Sequence, residues 1–191
     1  MPIISAKDLE GLPDSVRLVA RIGLIANEGA QIEHALAEVV ATLSRTRSKD
    51  GHKAVARRSF ADKVALLDLL WPARWPSPKT LLDALRQVAD YRNQHAHSYG
   101  VIDWEYYQKQ ENLPPLQELD DYVWVLRNNR NSRNTRPDDQ ALVQALELNS
   151  AVSECLFHLV IGSAAEVEAT QHADYRDFVV AGLELLDKYA K

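Results

Sequence analysis

Asp90-Tyr91-Arg92-Asn93-Gln94-His95-Ala96-His97-Ser98-Tyr99-Gly100 is the stretch on which the reading of this chain turns. Upstream of it, Leu81, Leu82, Leu85, Val88 and Ala89 recur at helical spacing. The stretch therefore closes an amphipathic helix opened at Ser77-Pro78, with proline at the tolerated first position. Gly100 suits the end of that helix. An arginine supplies a permanent cation with a planar fork of donors, suited to phosphate or carboxylate. A histidine can give or take a proton near neutral pH. Those two groups suffice to cleave RNA without a metal, one handling the proton and the other the charge on phosphorus.

Spacing decides which histidine could do it. Each residue of a regular helix turns by about 100°. His95 shares the face of Arg92, whereas His97 lies about 140° away and stacks over Asn93 at i, i+4. Arg92 and His97 converge only if the helix ends near Ser98 or if two copies of the chain meet across a symmetry axis. The plainer reading of the whole stretch is a helix C-terminus with cations near its negative end.

Arg92-Asn93-Gln94-His95-Ala96-His97 resembles the HEPN motif: an arginine, four to six residues, then a histidine, with a polar residue after the arginine. Continued to Ser98-Tyr99, it resembles the Arg-x4-His-x-Tyr variant of HEPN toxins paired with a minimal nucleotidyltransferase antitoxin. Ile32-Glu33, on a long upstream helix, also looks HEPN-like. The resemblance spans roughly residues 15 to 100 plus a C-terminal helix and leaves 101–136 unaccounted for. It implies an all-α helical bundle that forms a homodimer, with two Arg/His pairs in a cleft at the interface. It further implies metal-independent endoribonuclease activity without a cofactor, the catalytic residues being Arg92, His97 and Asn93. Glu33 would contact substrate, and Tyr99 would be the residue that an antitoxin nucleotidylates. A non-catalytic member of the same fold, binding a partner protein or RNA through the same cleft, is the alternative.

Composition sets the outer bounds. A chain of 191 residues, 46% hydrophobic and 26% charged, reads as one globular domain over 1–191. One cysteine, Cys155, excludes an internal disulfide framework and suits a reducing cytoplasm. No apolar run is long enough to span a bilayer, and the first residues lack a signal-peptide pattern. A net charge of −5 argues against a broad, sequence-independent grip on nucleic acid, though not against a local RNA site.

The rest of the chain divides around these landmarks. Pro13-Asp14 starts a long helix to about Thr46, whose apolar stripe includes Val16, Val19, Ile32, Leu36, Val39, Val40 and Leu43. Its Gly23 and Gly29 would admit a close neighbour. Glu33 sits beside this stripe, where a surface or satisfied carboxylate is the plainer reading. Ser44 to Arg58 is rich in Lys and Arg and reads as a solvated loop, or as a guide for RNA. Ser59-Phe60-Ala61-Asp62 has the form of a capping box. Trp71 and Trp75, flanked by prolines, plug the end of a bundle or stack on bases. His95 reads as a rim or interface residue.

Beyond Gly100 the pattern changes. Val101 to Tyr107 is β-branched and aromatic and would run extended. Leu116 to Leu126 fits a helix, while Tyr122 to Leu126 would equally fit a strand, which would make a small β-hairpin with the first stretch. Arg127, Arg130, Arg133 and Arg136 then recur every third residue with asparagines between them. Nothing there can bury, so this is a solvated linker or a comb of substrate-binding phosphate contacts. Pro137-Asp138-Asp139 opens the next long helix, on which Cys155 and His158 lie without metal-ligand spacing. A final helix, about Ala173 to Tyr189, buries Phe178, Val179, Leu183, Leu185 and Leu186. The sequence has neither a phosphate-cradling glycine loop nor a His-Glu-x-x-His motif.

Overall fold

The computed structural model describes residues 6–46, 48–96, 98–102, 104–109, 124–128, 134–135, 138–168 and 174–189. Helices dominate them, as expected of an all-α chain. After a short 3-10 turn at Ala6–Leu9 come α1 (Asp14–Leu43), α2 (Lys49–Ala56), α3 (Phe60–Leu70) and α4 (Lys79–Ala96). Then follow β1 (Ser98–Ile102), α5 (Trp104–Gln108), β2 (Trp124–Asn128), β3 (Asn134–Thr135), α6 (Asp139–Glu168) and α7 (Asp174–Tyr189). The three strands form one antiparallel sheet in the order β1-β2-β3. The antiparallel pairing expected after the motif is present between β1 and β2, and it starts earlier than expected, at Ser98.

The chain forms two compact units, one of Met1–Ala26 with Tyr91–Leu146, the other of Asn27–Asp90 with Glu147–Lys191. The first has its own core, in which Leu18 and Ile25 of α1, Leu126 of β2, and Leu142, Ala145 and Leu146 of α6 are buried, with Tyr91 packed against them. The guanidinium of Arg21, itself buried, is hydrogen-bonded to Asp139 in the first turn of α6. That carboxylate also complements the positive end of the helix. The core of the second unit is larger and takes Ile32, Leu36 and Val40 from α1, Leu67 from α3 and Leu81 and Leu85 from α4. Val152, Leu156 and Leu159 of α6 and Val179, Leu183 and Leu186 of α7 complete it.

Capping explains where the helices of this second unit begin and end. At the end of α1, Thr46 N–H donates to Ala41 O (3.0 Å) and Arg45 N–H to Thr42 O (2.9 Å). These paired bonds close a Schellman motif, which needs a left-handed residue at its turn. Arg45 takes that place with φ 57°, a position glycine usually fills. Ser48 caps α2 by accepting from Gly51 N–H (3.0 Å), and Ser59 caps α3 by accepting from Asp62 N–H (3.1 Å). A Cβ on Gly51 would meet Thr46 Cβ at 2.8 Å and Thr46 O at 2.9 Å, so glycine is needed for α2 to close against the end of α1. Trp71 and Trp75 meet edge to face at 5.0 Å, and Trp71 Nε1 donates to Pro76 O (2.7 Å). They plug the turn before α4, the structural one of the two roles considered for them.

Several expectations need correction. Ser44–Arg58 is not a loop throughout, because α2 lies within it. Only Val55 of α2 is buried, and one anchor in two turns gives periodicity nothing to detect. In the first half of α1, Val16 and Val19 are exposed and Ser15, Leu18 and Ile25 carry the buried face, while Ile32, Leu36, Val39 and Val40 are buried as expected. Apolar residues flank the stripe on both sides in this first half, so spacing alone does not single out the buried one. Gly23 has open space around it rather than a close neighbour. Phe178 is exposed, whereas Val179, Leu183 and Leu186 carry the buried face of α7. The extended run from Val101 stops at Ile102, and Trp104–Gln108 is helical.

Candidate functional site

The last turns of α4 and the sheet that follows lie in the first unit and carry Arg92, Asn93, Tyr99 and Arg127 among the residues singled out by sequence. The helix stops at Ala96 and β1 starts at Ser98. A strand from Ser98 means that a regular helix does not continue past the motif. His97 itself lies outside the described residues. Arg92 is half-buried on α4 and is engaged in an interaction there, whereas Asn93 and Gln94 are exposed.

His95 is a correction. It is 6% exposed, not a rim residue, and its Nδ1 has no hydrogen-bond partner among the described residues. Burial pushes its pKa below the ordinary 6.5, because charging an imidazole away from water is unfavourable. An enclosed ring cannot reach substrate in the chain as folded. If the stretch holds a catalytic imidazole, it is His97.

The sheet register places Tyr99 directly opposite Arg127. The residue proposed for modification and the first residue of the arginine comb are thus cross-strand neighbours along the backbone. Arg127 is exposed, while Val125 and Leu126 just before it are buried and anchor the strand. Arg130, Arg133 and Arg136 lie outside the described residues.

Glu33 belongs to the second unit. Its Oε1 accepts from Lys63 Nζ at 2.6 Å, and Lys63 is 1% exposed. The carboxylate is thus the satisfied one that the plainer reading described. Sequence reasoning passed over its partner, although Phe60, Lys63, Val64 and Leu67 share helical spacing that already puts Lys63 on the inner face of α3.

The second unit holds three further features of chemical interest. Glu28 is half-buried, and desolvation raises its pKa, against a smaller lowering from its hydrogen bond with Asn149. Cys155 is fully buried, and burial pushes its thiol up to about 12, so it stays protonated and unreactive. An apolar groove of about 570 Å³ runs between α1 and α6, lined by Ala30, His34, Ala35, Ser153, Phe157 and Val160 among others. Phe157 is 64% exposed at its edge. Among the described residues, no helix is long and apolar enough to cross a membrane, and no group of three His, Cys, Asp or Glu is placed to hold a metal ion. Comparison with known proteins adds nothing to these geometries: no family model, no curated protein and no solved structure matches the chain.

Proposed function

We propose that this chain is a metal-independent, HEPN-like endoribonuclease that acts in the cytoplasm as a homodimer, the toxin of a toxin-antitoxin or phage-defence pair. The observation that carries the reading is the start of strand β1 at Ser98, directly after Arg92-x4-His97, so that α4 does not run on past the motif. A helix that ends near Ser98 is one of the two conditions under which Arg92 and His97 can converge.

In this mechanism His97 takes the proton of the RNA 2′-hydroxyl, whose oxygen attacks the adjacent phosphorus. The bond to the 5′-oxygen breaks, and that oxygen leaves with a proton supplied by the imidazolium of the second copy. Arg92 holds the negative charge that builds on the phosphorane, a role suited to its fork of donors. Asn93, exposed beside it, orients His97 or a phosphate oxygen. The products carry 2′,3′-cyclic phosphate ends. Arg127, with Arg130, Arg133 and Arg136, contacts phosphates of the incoming strand. A nucleotidyltransferase antitoxin would silence the enzyme by adding a nucleotide to Tyr99.

The apolar groove supports the dimer. Phe157 stands out from the helix that lines it, so a twofold axis could seat each Phe157 in the other copy's groove. The decisive experiment is cleavage of RNA in excess EDTA by the wild type and by His97→Ala. Cleavage by the first and not the second is expected. Equal activity, or activity only with a divalent ion, rejects the mechanism. No cleavage by either would leave a non-catalytic module that binds RNA or a partner protein.

A further inference from the structure

Charge is distributed very unevenly along this chain. Ser44–Arg58 holds six Lys and Arg against a single acid, Asp50, and so carries +5 in a chain of net −5. The remaining residues therefore carry about −10. Such a concentration is not needed to fold α2, whose only buried residue is Val55.

The helix sorts these charges onto one side. Lys49, Lys53 and Arg57 follow each other at i, i+4 on α2 and its C-cap, and all three are exposed. Each step of four residues advances about 6 Å along a helix, which sets a row of cations at a repeat comparable with the step between neighbouring phosphates. Among the described residues, no carboxylate forms an ion pair with Lys49, Lys53, Arg57 or Arg58. A hollow of about 470 Å³ lies against this row, lined by Glu38, Lys49, His52, Lys53 and Ala56. Its one carboxylate is already engaged, since Glu38 Oε2 is 2.8 Å from His52 Nε2.

We infer that the basic face of α2 is a docking surface for the phosphate backbone of single-stranded RNA, separate from the residues proposed for cleavage. The choice of RNA among polyanions rests on the ribonuclease reading; the choice of a phosphate chain rests on the surface itself. A bilayer is the weaker partner, because the exposed residues of α2 and its C-cap include no large apolar side chain to enter the lipid. The face supplies affinity without sequence preference, as phosphate contacts do. It also makes RNA binding possible for a chain whose overall charge opposes it.

The test measures binding of a fluorescent 20-nucleotide single-stranded RNA to the His97→Ala chain by anisotropy, so that cleavage does not interfere. Lys49→Gln/Lys53→Gln/Arg57→Gln is compared with Lys79→Gln/Arg86→Gln/Lys188→Gln, which removes the same charge from exposed positions on α4 and α7. The α2 variant should bind at least tenfold more weakly, with the slope of log affinity against log salt reduced by about 2 for three lost contacts. The control should keep both. Unchanged binding, or equal loss in both variants, overturns the inference, as does tighter binding to anionic phosphatidylserine vesicles than to RNA. Cleavage by the otherwise wild-type chain is followed separately. RNA bound through α2 but never cut would sink the nuclease reading and spare this one, while cleavage at sub-saturating RNA that ignores the α2 variant would do the reverse.

Discussion

Lys63 Nζ lies 2.6 Å from Glu33 Oε1, and the lysine is 1% exposed while the glutamate reaches solvent with about a quarter of its side chain (23%). A buried ammonium depends on its partner: removing the partner of a buried pair is destabilising by about 3–5 kcal/mol, whereas replacing the charged group by an apolar one of similar length is often neutral or stabilising. Glu33→Ala should therefore lower stability by roughly 3 kcal/mol in urea unfolding. Lys63→Met should change it by less than about 1 kcal/mol and should abolish most of the Glu33→Ala penalty when the two are combined. Additive losses would mean the two side chains are not coupled. RNA affinity should be indifferent to Glu33→Gln if the carboxylate serves α3 and not substrate.

Burial makes His95 a sensor of pH for stability. Its folded pKa is depressed, so the folded chain resists the proton that the unfolded chain accepts near the ordinary 6.5. The stability that depends on the neutral ring is fully present above pH 6.5 and drains away as the pH falls below it. Melting temperatures of the wild type should drop between pH 7.5 and 5.5 by more than those of His95→Gln, which cannot take up a proton. Parallel profiles for the two would show that the ring is solvated enough to charge in the folded state.

Glu28 runs in the opposite sense. Desolvation raises its folded pKa, so the folded chain binds this proton more tightly than the unfolded one. The contribution is favourable below the ordinary value of 4.5 and is lost as pH rises through the raised value. Near neutral pH the ionised carboxylate is therefore a burden. Glu28→Gln should raise the melting temperature at pH 7, and the gain should vanish by pH 4. A variant less stable than wild type at pH 7 would show that the charge has a partner worth more than its desolvation.

How much of this was legible in the sequence depends on how many residues act together. The long helices were, because each repeats its buried side over many turns: Ile32, Leu36 and Val40 on α1, or Val152, Leu156 and Leu159 on α6. The strand pairing was legible only as one of two options, because the short run ending at Leu126 fits a helix as well as a strand. The helix α2 was not, since Val55 alone anchors it and its remaining surface is charge. The same charge read as a loop becomes a surface only when Ser48 and Gly51 wind it into two turns. Within the motif, spacing marked His95 and His97 as different, but it could not show that the chain buries the first of them. That depends on packing among residues far apart in sequence.

Arg92 offers the sharpest separation between binding and turnover. Its guanidinium, half-buried at the end of α4, is proposed to hold charge that exists only while phosphorus is five-coordinate. Lysine would keep the charge but lose the planar fork that can span two oxygens. Arg92→Lys should therefore slow single-turnover cleavage by about 10²-fold or more, while the affinity for uncut RNA changes by less than a factor of about 3. The α2 variants should show the converse, weakened affinity with the rate at saturating RNA preserved. If Arg92→Lys instead weakened binding and left the saturated rate intact, Arg92 would be a docking residue, and the charge on phosphorus would have to be met by another group.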